Sequence, residues 1–459
     1  MKNKTIFITL AEDIIFRNVF TDLFWNFFLK DCDFKIIILV QEGRKDFFAQ
    51  KFTGKPLVFE EYKRGTPTKF ESFFNSLARS GLNSHTNLWS KMRSYKRGDS
   101  GFVDTFYKRI LAATLGNFNW YKNLIRYFLM QVEPDKKLAD LYDKYKPDMV
   151  FSTSLSNYDF DVPIAREAKR RKIHLVGMGR SWDNFSSHGL LRALPDILLV
   201  QNEFLKDMAP MHQAIDLNKL PIKIVGIAHY DPITNLQNIV EPREKFLTRF
   251  GLGKNDKYIL YGAMGSFLFK YEDELPEVFE ELMASGKLNV NKFIYRAHPK
   301  FKKTDFSDKL SHIYLDSTGE YAIGNKDGLG DNEYLINSIY HSEVLVTGAS
   351  TMAIDGAVLD KPIVCVAFNG KTPEDKVNYW ESVARFYDLY THFEDLLDQK
   401  GVKVARTPDE LASMVNVYIK NPALDSDGRK RIVSRLAYKI DGNSSKRLAE
   451  YVLEEVKKS

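Results

Sequence analysis

The sequence predicts an α/β chain of two Rossmann-like domains facing across a cleft, the first of them carrying a helical insertion. Three observations lead there. Short apolar runs alternate with helix-period stretches along the 459 residues, as parallel strands joined by crossover helices require. That alternation stops at a polar stretch bracketed by Pro232 and Pro242 and then restarts cleanly. The chain is also too long for one ordinary hydrophobic core.

Taken in order, the first half shows strand-like runs at 5–10, 34–40, 149–152, 174–177, 197–201 and 223–225. Between about 65 and 145 the pattern turns into long, aromatic-rich helical stretches such as 103–131, read as an insertion whose Phe, Trp, Tyr and Leu residues build a core. The alternative is a surface that faces a membrane or an acceptor. The second half gives strands at 258–261, 293–296, 312–315, 344–346 and 363–366, with helices at 274–285, 332–341, 351–359 and 408–420. The expected domains are 1–235, 236–425 and a basic helical tail over 426–459.

Composition excludes several classes. Hydrophobic residues at 44% and charged residues at 27% describe a globular chain, not a disordered or fibrous one. No apolar run reaches about 18 residues, so no spanning helix is expected. The apolar start breaks at Glu12 and Asp13, too early for a secretory signal. Cys32 and Cys365 offer neither a disulfide framework nor a metal site, and a cytoplasmic address follows. The net charge of +6 and the clusters at 91–97 and 169–172 suit an anionic donor, an acidic glycan or a membrane face. No zinc-finger spacing or RNP-like strand is present, so nucleic acid is not expected as a partner. There is no Asp-x-Asp in a strand-end loop, no Walker A loop and no G-x-G-x-x-G after the first strand. No metal and no cofactor are expected.

Open parallel sheets bind ligands just beyond the carboxyl ends of their strands. Three strands of the second half end in chemically loaded loops: Gly262 to Ser266, with Gly265; Arg296-Ala297-His298-Pro299; and Gly348-Ala349-Ser350-Thr351. In the last, Gly348 lets backbone approach a ligand, and Ser350 or Thr351 caps the following helix and can hold a phosphate at its positive end. His298, held extended by the next proline, can donate to a phosphate oxygen as a leaving nucleotide gains charge. Arg296 adds a fork of donors. Asp355, one helical turn after Thr351, suits the two hydroxyls of a ribose.

The first half presents the polar stretch Arg180 to Gly189 after its own strand. A hydroxyl acceptor needs a base there, and Asp183 or His188 can serve; Glu12 and Asp13, past the first strand, are rivals. Between these four the residues alone do not choose.

The second-half run from Arg296 through Ser350-Thr351 to Lys361-Pro362 resembles bacterial surface-polysaccharide transferases of GT-B fold, among them CDP-glycerol glycerophosphotransferases and CMP-sugar transferases. The Ser181 to Gly189 stretch, Val225-Gly226 with Asp231, and the Asp441 to Arg447 segment are similar to pieces of the same superfamily. His188 stands where lysine is commoner in those relatives, and Asp355 where glutamate is. The resemblance implies an enzyme: a metal-independent, nucleotide-sugar-dependent glycosyltransferase, or a glycerophosphotransferase, acting on a cell-surface glycan or glycolipid. It implies a CMP- or CDP-type donor over UDP, held through His298, Ser350 and Thr351 at the phosphates and Asp355 at the ribose. The reaction would take place at the inner face of the cell membrane, with peripheral membrane contact. A nucleotide-sugar 2-epimerase and a non-catalytic binding protein on the same scaffold are the alternatives.

Overall fold

The computed structural model describes residues 4–30, 33–156, 159–179, 181–298, 310–316 and 331–459, and it divides into two compact units. Arg180, Pro299, Lys300 and Cys32 lie outside the described residues.

The first unit comprises residues 1–231 and 438–459. Its apolar runs form seven strands: β1 (Thr5–Leu10), β2 (Lys35–Gln41), β3 (Leu57–Tyr62), β4 (Met149–Ser152), β5 (His174–Met178), β6 (Ile197–Val200) and β7 (Ile222–Ile224). All pairings are parallel, in the order β3-β2-β1-β4-β5-β6-β7. Central strands read as unbroken hydrophobic runs because helices cover both faces, and Ile6 to Leu10 are fully buried. Edge strand β3 is less buried and carries adjacent Glu60 and Glu61 between buried Phe59 and Tyr62, which is why its apolar signal is diluted.

The insertion is four helices, Lys69–Ser80, His85–Arg97, Phe102–Thr114 and Asn119–Met130. Thr68 and Ser84 cap the first two by accepting from backbone N–H groups three residues on. The continuous helix expected over 103–131 is broken. A Cβ on Gly116 would stand 2.6 Å from the Gly81 carbonyl and 2.3 Å from that of Ala112, so only glycine lets the chain turn there. The insertion's core is Leu77, Ala78, Leu82, Tyr121, Ile125 and Leu129 with Leu190. The expectation that its aromatic residues are core holds for only part of them: Phe70, Phe102, Trp120 and Tyr127 are among those exposed.

The second unit, Pro232–Ala437, holds β8 (Tyr258–Gly262), β9 (Lys292–Arg296), β10 (Ile313–Asp316), β11 (Val344–Thr347), β12 (Ile363–Val366) and β13 (Lys403–Ala405). They are parallel in the order β10-β9-β8-β11-β12-β13. β13, a Lys-Val-Ala run in which only Ala405 is buried, is not among the expected strands. Helices at Leu275–Ala284, Asp331–His341, Met352–Val358 and Pro408–Lys420 connect them.

The tail expected over 426–459 is not a separate piece. Helix Ser426–Ile432 belongs to the second unit, where fully buried Arg429 donates to Asp360 at 2.7 Å and to the carbonyls of Leu424 and Pro422. Helix Ser444–Lys458 belongs to the first unit and packs on the Asp22–Phe28 helix. Its start is clasped by the chain after β7. The buried Asp231 carboxylate accepts from the backbone N–H of Ser444 at 2.8 Å and of Ser445 at 2.7 Å. Arg447 donates to the Val225 carbonyl at 3.0 Å and pairs with Asp441. Gly226, at φ +86°, admits this approach; a Cβ there would stand 2.4 Å from Ser444 Oγ.

Asp231→Ala removes a charged cap from a buried helix start and should destabilise the first unit by about 2 kcal/mol. Urea unfolding followed by near-UV circular dichroism would show the loss, with Asp231→Asn intermediate. An unchanged midpoint would mean the clasp adds nothing.

Candidate functional site

The second sheet's register decides where its loops emerge. Asp316, Arg296, Gly262, Thr347 and Cys365 are successive cross-strand partners on β10, β9, β8, β11 and β12. They form one row at the carboxyl edge. His298 therefore leaves two residues past the row, and Gly265 and Ser350 three past it, all from one edge. With strands roughly 4.8 Å apart, the β9 and β11 exits lie roughly 10 Å from each other.

The β11 loop is tied down by its own hydroxyls. Thr347 Oγ1 donates to the Gly262 carbonyl at 2.9 Å, so Ser350 Oγ, 2.9 Å from Thr347 Oγ1, donates to Thr347. Ser350 Oγ also accepts from the Met352 N–H at 3.2 Å, which makes Ser350 the cap of helix Met352–Val358. Thr351 is exposed and makes no capping bond. Asp355 is half-buried on the first turn, and His298 is half-buried past β9.

Three sequence readings change. Gly348 is not a gap for a ligand: a Cβ there would stand 2.0 Å from Met264 Sδ. Gly262 likewise receives Met352 Sδ at 2.0 Å, so the β8 and β11 loops lock together, each pressing a methionine onto the other's glycine. Gly265 does not offer its N–H to a donor either. Buried Glu272 accepts from the N–H groups of Met264 and Gly265, each at 2.7 Å, and from Tyr261 Oη at 2.8 Å. The chain supplies its own anion there, and Ser266 stands exposed beyond it. Finally, Arg296 pairs with buried Asp316 at 3.3 Å, and its guanidinium lies 5.3 Å from the Tyr334 ring centroid. One nitrogen of its fork thus ties the β9 end to the β10 end. Lys361 of the Lys-Pro motif is likewise turned inward. It donates to the Tyr340 and Ser342 carbonyls, and burial lowers its ammonium to about 8.

Along the first sheet's carboxyl edge, the structure brings two of the four base candidates together. His188 Nε2 lies 3.3 Å from Asp183 Oδ2, both partly open to solvent. Asp183 also accepts from Ser187 Oγ at 2.9 Å and from Asn184 Nδ2 at 3.3 Å. Asn184 is fully buried, and its Oδ1 accepts from the Ser181 N–H and Ser156 Oγ, each at 2.9 Å, holding the turn on its strand. Glu12 starts the Asp13–Val19 helix past β1 and makes no side-chain cap bond; the side chain of Asp13 is not among those described. Because β1, β4 and β5 run parallel, Glu12 leaves the same edge as the pair, with β4 between them.

Two features had no sequence signal. Asp161, fully buried between β1 and β4, accepts from Ser152 Oγ at 2.8 Å and from Thr9; burial raises its carboxyl despite these bonds. Its Asp-Val-Pro context reads only as a helix start. A cavity of about 810 Å³ opens at the ends of β12 and β13, lined by Phe368, Thr372, Arg385 and Arg406 rather than by His298 or Ser350. Among the described residues no cluster of His, Cys, Asp or Glu could hold a metal ion, and no helix is long and apolar enough to cross a membrane.

Replacing Glu272 by alanine strands three buried donors. Glu272→Ala should lower the second unit's stability by about 3 kcal/mol or more, read as a urea midpoint shift. A shift near zero would mean water replaces the carboxylate without cost.

With this geometry in place, comparison with known proteins identifies the family. The family described as CDP-Glycerol:Poly(glycerophosphate) glycerophosphotransferase matches residues 193–454, more than half the chain, and the chain belongs to it. It is thus a transferase that moves a group from a nucleotide-activated donor. No curated protein matches its sequence. Among solved structures, the wall teichoic acid polymerase TagF, in a variant soaked with CDPG, is 12% identical at TM-score 0.51, covering 99% of this chain and 89% of that one. UDP-GlcNAc 2-epimerase of Neisseria meningitidis, bound to UDP-GlcNAc, is 12% identical at TM-score 0.54, covering 99% and 100%. The glycotransferase of kitacinnamycin is 12% identical at TM-score 0.50, again covering 99% and 100%. At such identities the likeness shows the fold alone, which is α/β of the GT-B type.

Proposed function

We propose, with family membership as the premise, that this chain is a metal-independent glycosyltransferase or glycerophosphotransferase. It takes a CMP- or CDP-activated donor, transfers to a cell-surface glycan or glycolipid, and works in the cytoplasm at the inner face of the cell membrane. The observation that carries this reading is the single row from which the His298 and Ser350-Thr351 loops leave β9 and β11. An imidazole and a hydroxylated helix start on one edge suit a phosphate group that gains charge as its ester or anhydride bond breaks. In this reading His298 and Thr351 meet the phosphates directly, Ser350 holds the loop, and Asp355 meets the ribose. Arg296 positions the β9 end through Asp316.

The first unit would supply the base. In the glycerophosphoryl version, the acceptor hydroxyl oxygen bonds to the glycerol-bearing phosphorus. The bond to the CMP oxygen breaks, CMP leaves with the electron pair, and the acceptor proton passes to the base. In the glycosyl version the attacked atom is the anomeric carbon. The His188–Asp183 pair favours these two residues over Glu12 and Asp13, because a carboxylate 3.3 Å from the imidazole can orient it for proton transfer.

Calorimetric titration of CMP, CDP, UDP and GDP tests the donor half. Cytidine nucleotides should bind tightest, and His298→Ala should weaken CDP by about tenfold. Equal, negligible heats for all four nucleotides would contradict it. For the base, His188→Gln and Asp183→Asn should each cut kcat about a hundredfold or more with CDP affinity unchanged. A fall confined to Glu12→Gln would move the base to Glu12 instead. Turnover should persist in a chelator, and its loss would refute metal independence.

A further inference from the structure

A cavity of about 410 Å³ opens in the first unit just past the end of edge strand β3. The start of the Lys69–Ser80 helix, the segment 131–135 and the Asp161–Arg170 helix enclose it. Its volume falls in the range of about 300–1,000 Å³ typical of ligand sites.

The charges on its wall balance. Arg64, Arg166 and Arg170 line it against Glu71, Glu133 and Asp135. Buried Glu71 accepts from Arg64 at 2.9 Å and from Arg166 at 2.7 Å. Arg170 donates to the Val132 carbonyl at 2.5 Å, and Asp135 accepts from the Gly65 and Lys137 N–H groups at 3.1 and 2.9 Å. A phosphate or carboxylate placed here would meet three carboxylates, and an ammonium group three guanidiniums.

Uncharged hydrogen-bonding groups remain to be matched. Tyr62 is 1% exposed and Arg166 4%, both line the cavity, and among the described residues Tyr62 Oη and Arg166 Nε have no hydrogen-bond partner. Burial raises the Tyr62 hydroxyl, which therefore stays protonated and able to donate. Buried donors without partners beside a cavity are groups that an occupant's oxygen atoms can satisfy. Gln131 and Glu133, both exposed, add acceptor oxygens. A hydroxyl donates and accepts at once, so a polyhydroxyl ring suits a wall that offers both. Phe70, half exposed and packed on Phe74 with 4.8 Å between ring centroids, gives the C–H face of such a ring an aromatic surface.

The cavity's place on the sheet gives the occupant a role. Phe59, Ile38, Ile8, Phe151 and Val176 form one row across β3, β2, β1, β4 and β5. Four strand spacings of about 4.8 Å set the ends of β3 and β5 roughly 19 Å apart on the carboxyl edge. The His188–Asp183 pair follows β5. Arg64 ties the two places together: Asp159 pairs with Arg64 at 3.4 Å and with Arg79 at 2.7 Å, and the Arg79 backbone lies against Gly189.

We infer that this cavity holds an uncharged sugar unit of the acceptor, several units away from the hydroxyl that reacts. The inference rests on the reading of the chain as a transferase to a glycan, and it gives the acceptor a second anchor on the first unit.

Saturation-transfer NMR on the full chain without nucleotide tests it, with neutral trisaccharides of glucose, galactose, mannose and N-acetylglucosamine as probes and inorganic phosphate as competitor. At least one trisaccharide should bind. Phe70→Ala, and Gln131→Ala combined with Glu133→Ala, should each weaken it about tenfold. Tyr62→Phe, which removes only the hydroxyl, should weaken it about fivefold. Phe70, Gln131 and Glu133 are exposed, so near-UV circular dichroism and CDP affinity should stay at wild-type values in those variants. With no donor present, failure here leaves CDP binding as it was, and failure of CDP binding leaves the sugar result readable. No binding by any trisaccharide, binding that all these variants leave unchanged, or displacement of the sugar by phosphate overturns the inference.

Discussion

Parallel register is the constraint on which the rest of the second unit depends. Because Arg296, Gly262 and Thr347 are cross-strand partners, three loops with different chemistry must leave the sheet side by side. Local packing then stiffens the row. Met264 fills the space over Gly348, Met352 fills the space over Gly262, and the Glu272 carboxylate closes the β8 loop's backbone donors. Either of these glycines given a side chain would push neighbouring loops apart. The half-buried imidazole of His298 and the exposed hydroxyl of Thr351 stand on this base, which does not need to reorganise.

The long-range plan was legible because it rests on patterns that parallel sheets impose. Buried strands such as β1, β4 and β12 are near-continuous hydrophobic runs, and their boundaries can be read almost residue by residue. β3 and β13 escaped for different reasons: the first is an edge strand interrupted by two adjacent glutamates, the second a Lys-Val-Ala run with a single buried residue. The break at Gly116 was hidden because the helical period continues across it, and only the approach of the Gly81 carbonyl makes glycine necessary.

At the site, residue types were legible and their partners were not. Glycines in strand-end loops read equally as openings for a ligand or as seats for a neighbour, and here methionines occupy both. An arginine before a His-Pro pair looks like a phosphate fork until Asp316, twenty residues on, turns out to hold it. The Val225-Gly226, Asp231 and Asp441 to Arg447 segments resemble family pieces far apart in sequence, yet they meet as one clasp around the start of the last helix. Shared motifs can thus mark the scaffold as readily as the chemistry. The Asp183–His188 proximity was not read from the sequence either, which offered the two only as alternative bases; the short Asn184–Ser187 turn brings them within 3.3 Å.

A structure of the chain with CDP bound would test the central claim most directly. The phosphates should lie between the His298 and Ser350-Thr351 loops, with the ribose toward Asp355. A nucleotide lodged in the cavity at the ends of β12 and β13, its phosphates on Arg385 or Arg406, would contradict it.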